Sequence, residues 1–384
     1  SSSGEMLYNN IFLKHSSDES IAGSTGMQTS WESLLDTAIA FKPQLVQNHN
    51  TGEMEIFVQD MANNVYLINN VGRVLWKVAL PEPIISNVYQ IDIYRNKKLQ
   101  MLFNTRNYIY VMDRLGKFVD KYPVKLKSPA VGSLALFDYD NDKKYRIMVA
   151  CEDRKVYAYE KTGAMVSGWG FKQSEHPVQT DIYHYRTGNK DYITFADKYR
   201  VYILDRQGKA RVSPEYNFPV GKNTTIALHS FPASLVLADT VGTPHFVSLS
   251  DGKIRKQVIK NFPASHFFIF QDVDGDRQDD FVFAYDNKVE AFKQDGKQIL
   301  NIETENPVEI RPYIYEFSAK DIRVGIVAPG KNLIYLYDNK NKLYKGFPLK
   351  GSTSFSIGRL GKQSNSFNLF VGSKNNFLYN YPVK

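Results

Sequence analysis

Val65-Tyr66-Leu67-Ile68, running into a turn that ends at Gly72, and Tyr108-Ile109-Tyr110-Val111, running into one that ends at Gly116, decide the fold of this chain. Each is a short run of β-branched and aromatic residues, which suits a pleated, half-buried strand. Glycine closes the turn because it tolerates positive φ at little cost. The unit returns as Val156-Tyr157-Ala158-Tyr159 with Gly163, Val201-Tyr202-Ile203-Leu204 with Gly208, and a degenerate His245-Phe246-Val247 with Gly252. Val289-Glu290-Ala291-Phe292 with Gly296 and Leu333-Ile334-Tyr335-Leu336 with Asn341 complete the series. Successive turns stand 44, 47, 45, 44, 44 and 45 residues apart. A period of that length, built from short strands, is the mark of β-propeller blades.

Outward from these turns, each unit reads as four strands. First strands are expected near Pro43, Ile84, Ala130, Pro177, Thr224, Ala264, Val308 and Thr353, so eight blades are preferred and seven is the alternative. The last unit stops one strand short, at Lys384. The isolated run from Glu5 to Leu13 is assigned to that missing outer strand, because closing the ring removes exposed sheet edges. The run from Trp31 to Ala40 is read as a short helix with Ser30 as its N-cap. The expected division is 1–40 for closing strand, polar linker and helix, and 41–384 for a single all-β propeller.

Composition narrows the function classes. With 43% hydrophobic residues, 25 tyrosines and 24 phenylalanines, there is ample material for a β-rich core. A single cysteine, Cys151, rules out an internal disulfide framework and reads as a buried thiol behind Ile147-Met148-Val149-Ala150. The net charge of +8 comes from lysines scattered through turns, which reads as solvated loop tips rather than a nucleic-acid stripe. No apolar run reaches the roughly 18 residues of a membrane helix. The opening Ser1-Ser2-Ser3-Gly4 reads as a processed product or a piece of something longer.

The sharpest motif is Asp272-Val273-Asp274-Gly275-Asp276-Arg277-Gln278-Asp279-Asp280. Carboxylates of Asp272, Asp274, Asp276 and Asp280, with the carbonyl of Gln278, can converge on one hard cation, and calcium takes six to eight such oxygens. The strand Phe281-Val282-Phe283-Ala284 follows instead of a helix, so this is no EF-hand. A structural Ca2+ is expected here; an acidic hairpin cap without metal is the plain alternative.

This D-x-D-G-D-x-x-x-D loop resembles the FG-GAP and VCBS repeats of bacterial and integrin-type propellers, as do Tyr122-Pro123-Val124 and Gly346-Phe347-Pro348-Leu349. Asp138-Tyr139-Asp140-Asn141-Asp142 stands at the equivalent place in the third unit, but Arg146 replaces the last acid and no metal is expected there. Gly72-Arg73-Val74-Leu75-Trp76 is similar to the turn of pyrroloquinoline-quinone-type repeats, quinoprotein-like rings of eight blades. Enzymes of that shape have an adjacent cysteine pair near the cofactor, so no quinone is expected. The resemblance implies a bacterial cell-envelope protein, periplasmic or on the outer surface.

Catalytic spacings are missing: the seven histidines form no H-x-H or H-E-x-x-H pattern, and there is no G-x-S-x-G elbow or P-loop. Tyr89, Tyr183, His184, His266, Arg311 and Tyr313 lie on or beside expected first strands and form the candidate ligand site at the channel mouth. The preferred reading is a monomeric, non-catalytic scaffold that binds a protein or glycan partner at a propeller face. Two alternatives are carried: a carbohydrate-active hydrolase or lyase at the channel mouth, and a basic surface for anionic polymers.

Overall fold

A computed structural model describes residues 27–361 and 364–383. Trp31–Leu34 pairs antiparallel with Phe377–Val383, so the two ends of the described chain meet in one sheet. Between them the chain lays down the remaining sheets in order, giving an eight-bladed propeller. The first blade, Gln44–Gln47, Met54–Gln59, Asn64–Ile68 and Val74–Ala79, sets the pattern of four antiparallel strands. Among the described residues the third blade has three strands, its outer place held only by a bridge between Tyr159 and Met165. The sixth has five, because Asn223–Thr224 adds in parallel to the inner edge of Phe267–Gln271.

The eight expected blades are present, and innermost strands begin a few residues after each expected start. The N-terminal assignment is corrected. Trp31–Leu34 is a strand, not the start of a helix, and it is this segment that fills the outer place of the last blade. A cap and modest helix propensity are weak local preferences; here they lose to a sheet edge that offers a full set of backbone partners. Residues 5–13 lie outside the described residues. The ring therefore begins before residue 41.

The core is not central. It is divided into eight apolar layers, each pressed between neighbouring blades. Ile91 and Leu102 meet Ile147 and Val149 between the second and third blades, and Val236 and Phe246 meet Phe268 and Phe281 between the fifth and sixth. Burying each such side chain contributes about 1.5–3 kcal/mol. Cys151 lies fully inside one layer, where burial pushes its thiol up to about 12 and keeps it unreactive.

Tryptophans tie outer edges to the next blade. A Cβ on Gly72 would stand 2.8 Å from Trp31 Cδ2, one on Gly116 2.9 Å from Trp76 Cδ2, and one on Gly208 2.9 Å from Trp169 Cε3. Trp31 Nε1 donates to the Asn70 carbonyl at 3.0 Å and Trp76 Nε1 to that of Arg114 at 2.7 Å. These turns need glycine both for positive φ and for the ring lying on them.

Candidate functional site

Two residues before each innermost strand stands a polar side chain: Lys42, Asn87, Ser133, Asp181, Thr225, Ser265, Arg311 and Ser354. None of them is buried, whereas the residue after each is buried in seven of the eight blades. Extended backbone sends successive side chains to opposite sides. One residue thus anchors in an inter-blade layer and its predecessor is left at the channel rim, forming a polar collar. In four blades a hydroxyl one step earlier fixes the collar's height. Ser86, Thr180, Thr224 and Thr353 accept the N–H of Asn104, Ala196, Ala238 and Gly372 at 2.9, 2.8, 2.9 and 2.9 Å.

A cavity of ≈ 710 Å³ opens at this collar, with Lys42, Asp60, Met61, Ile85, Asp181 and three tyrosines in its wall. The tyrosines are Tyr89, Tyr183 and Tyr313, all expected from the sequence. Arg311 stands close enough to Tyr183 to act on its hydroxyl electrostatically, and donates Nη2 to the Asn223 carbonyl at 3.3 Å. Its buried Nε has no partner.

Arg311, His184 and His266 are not in the cavity wall, which corrects the expected set. His184 falls on the opposite side of its strand from Tyr183, packs edge-on to Tyr139 at 4.9 Å and bonds Asp191 through Nε2 at 2.8 Å. His266 occupies the buried anchor position of its blade, with Nδ1 2.7 Å from the Pro263 carbonyl and its ring against Phe262 and Phe283. Burial holds its pKa below the usual histidine value.

Lys42 was not expected, and it is the most distinctive group at the mouth. Its ammonium lies 3.7 Å over the ring of Tyr313, a residue of the seventh blade, while Lys42 itself leads into the first. Burial alone lowers its pKa to about 8. No carboxylate is paired with it among the described residues. The acids of the cavity explain why. Asp60 Oδ1 accepts the N–H groups of Ala62 and Asn64 at 3.0 and 2.9 Å, and Oδ2 accepts from Asn64 Nδ2 and Tyr66 Oη at 3.1 and 2.9 Å. That carboxylate is consumed by its own turn. Asp181 is exposed. The mouth therefore presents tyrosine hydroxyls and a half-buried ammonium, with the Arg311 guanidinium outside its wall.

The acidic loop sits on the sixth blade, between its first and second strands. Oxygens of Asp272, Asp274 and Asp276 come within 4.8 Å of one another, and Asp280 is 1% exposed. Lys293 places its ammonium 2.7 Å from Asp274 Oδ2, 2.6 Å from Asp276 Oδ2 and 3.9 Å from Asp280 Oδ1. Burial pushes Asp280 up to about 7 even so, and the lysine pulls Asp276 below the usual carboxylate range. The donor set is all hard oxygen, the class of ligand that Ca2+ takes, and here Lys293 supplies its countercharge.

The same loop is built twice more. Arg95, Asn141 and Gly275 share positive φ values of 56°, 53° and 83°, and two residues on Lys97, Lys143 and Arg277 share 65°, 62° and 70°. Asp92, Asp138 and Asp272 each cap their own loop by accepting backbone N–H groups. The second-blade copy escapes the sequence motif because only its first acid remains. Lys143 bridges to Asp92 at 2.5 Å. In the third blade Arg146 stays on the carbonyl of Tyr145 at 3.3 Å, and the countercharge for Asp140 comes from Arg206 at 2.8 Å.

No protein-family model matches this chain. No curated protein matches it either. Solved structures do. BamB from Moraxella catarrhalis is 14% identical with a TM-score of 0.59, over 93% of this chain and 100% of that one. Saccharomyces cerevisiae Sqt1 is 10% identical with a TM-score of 0.64, over 94% and 99%. BBS1N, in a complex with ARL6DN, is 10% identical with a TM-score of 0.53, over 94% and 97%. At these identities the likeness shows the propeller fold and nothing finer. No helix of the described residues is long and apolar enough to cross a membrane.

Proposed function

We propose that this propeller is a non-catalytic scaffold that receives a protein partner at the collar face. The observation that carries the reading is the ≈ 710 Å³ cavity, in which a half-buried Lys42 has an aromatic face but no acid. A buried charge left without a counterion costs folding energy, and a partner can supply the missing anion. Met61 and Ile85, 67% and 36% exposed, add an apolar rim that can adapt to a bound segment. Glycoside cleavage needs two carboxylates facing one bond; with Asp60 tied into its turn, the described wall offers Asp181 alone.

Two finer assignments accompany this reading as proposals. Calcium is held by Asp272, Asp274, Asp276, Asp280 and the Gln278 carbonyl once Lys293 swings aside, and it stiffens the sixth blade. Location in the bacterial cell envelope rests on the resemblance to FG-GAP, VCBS and quinone-type propellers.

The test places a photo-crosslinking residue at Met61 or Ile85, with a control at Leu115 in a turn between a third and a fourth strand. Each variant is incubated with an envelope extract with and without calcium, then washed with salt. A discrete adduct from the collar positions, absent from the control, supports the scaffold. Turnover of a polysaccharide by the isolated chain, or adducts that form equally at Leu115, rejects it.

A further inference from the structure

Resting on the scaffold reading, we infer that Lys42 makes the collar selective for a carboxylate carried by a peptide segment of the partner, an acidic residue flanked by apolar ones. Three observations converge. The collar is polar in all eight blades, yet only three of its members are charged, and two of those are cations. Neither cation is paired with an acid among the described residues; Lys42, the one in the cavity wall, has only the Tyr313 ring. Tyr89 and Tyr183 face the same cavity. Tyr89 donates to the Leu134 carbonyl at a long 3.4 Å, so its hydroxyl can turn to a closer acceptor.

A carboxylate is the anion that matches this arrangement. It accepts from an ammonium and a phenol at once, and charge-assisted bonds in a half-dry cavity are the strong ones. A peptide is favoured over a uronic glycan by the wall itself. Phe41, Pro83 and Ile84 lie behind the rim residues Met61 and Ile85, giving apolar surface for neighbouring side chains, whereas a sugar needs dense hydrogen bonding on every hydroxyl. The volume suits a short segment rather than a folded domain.

Burial supports the assignment through its pH dependence. The ligand-free ammonium loses its proton near pH 8. The titratable groups that share its cavity are Asp60, Asp181, Tyr89, Tyr183 and Tyr313. Burial raises the pKa of Tyr89 and Tyr183 further above the window between pH 7 and 9.5. Affinity for an acidic peptide therefore falls as pH rises from 7 to 9.5.

The experiment selects a phage-displayed seven-residue peptide library on the whole chain and on its Lys42→Gln and Lys42→Arg variants. Thermal unfolding of each variant confirms that it folds. The wild type is expected to enrich peptides with Asp or Glu beside an apolar residue. A selected peptide, made synthetically, should bind about tenfold or more weakly to Lys42→Gln, equally weakly when its acid is changed to the amide, and near wild-type strength to Lys42→Arg. With Lys42→Arg the fall between pH 7 and 9.5 should vanish, because guanidinium stays charged. Enrichment without acidic residues, or binding indifferent to Lys42→Gln, overturns the carboxylate assignment and leaves the scaffold standing. No enrichment on the wild type overturns both, and polygalacturonate binding in that case gives the site to a glycan.

Discussion

Replacing Lys42 by methionine should make the folded chain more stable at neutral pH, and the gain should disappear in alkali. Burial lowers the Lys42 pKa from 10.5 to about 8. At about 1.4 kcal/mol per unit, holding the proton at pH 7 costs the fold up to ~3 kcal/mol. The Tyr313 face, 3.7 Å away, returns roughly 0.5–2 kcal/mol of that. Methionine keeps most of the stem and fills the same space without charge, so the expected net gain is about 1–3 kcal/mol. The sign follows from proton counting. Between pH 8 and 10.5 the unfolded chain still holds the proton and the folded chain has lost it, so wild-type stability rises with pH relative to the variant. Urea unfolding of both proteins at pH 7, 8.5 and 10 reads the difference directly. A variant less stable than wild type at pH 7, or a difference that does not change with pH, would refute the claim that an unpaired charge is buried at the mouth.

Asp280, raised to about 7 by burial, gives the opposite slope in metal-free protein. Stability should rise as pH falls from 7 towards 5, and Asp280→Asn should flatten that rise in denaturation curves. Adding Ca2+ should stabilise the wild type by about 2.7 kcal/mol at a hundredfold excess over Kd, with Asp274→Asn abolishing the shift in a thermal melt; no shift at millimolar calcium removes the metal. Gly116→Ala meets both positive φ and Trp76, and should cost about 2–3 kcal/mol by urea titration. Thr353→Val leaves the buried N–H of Gly372 unpaired, at a cost of about 1–3 kcal/mol on the same assay, with the largest loss of amide-exchange protection in the last blade.

The blade count was legible because each turn glycine is demanded by backbone geometry, and a demand repeated every 44 to 47 residues cannot hide. The closing strand was harder to read. Trp76 precedes Gly116 by 40 residues and Trp169 precedes Gly208 by 39; Trp31 precedes Gly72 by 41, which marks it as the same outer-edge device. Helix propensity near Ser30 masked that spacing. At the mouth, strand period places the three tyrosines, while His266 takes an anchor position that other blades mostly give to apolar residues, so its residue type points the wrong way. Nothing local in the sequence distinguishes Lys42 from the surface lysines. Only the register common to all eight blades separates it. The second-blade acidic loop was invisible for a related reason: its shape is carried by Arg95 and Lys97 in left-handed conformation, residue types that do not announce it.

The collar also separates what the protein is from what it recognises. Its members follow a hydroxyl that fixes height in half the blades and precede a buried anchor, so folding makes little demand on their identity. A lineage or a designer can rewrite the pattern of charges around the opening one blade at a time, as characters in a ring-shaped address of eight letters. Specificity for a new partner is then reachable by single steps, each of which leaves the ring intact.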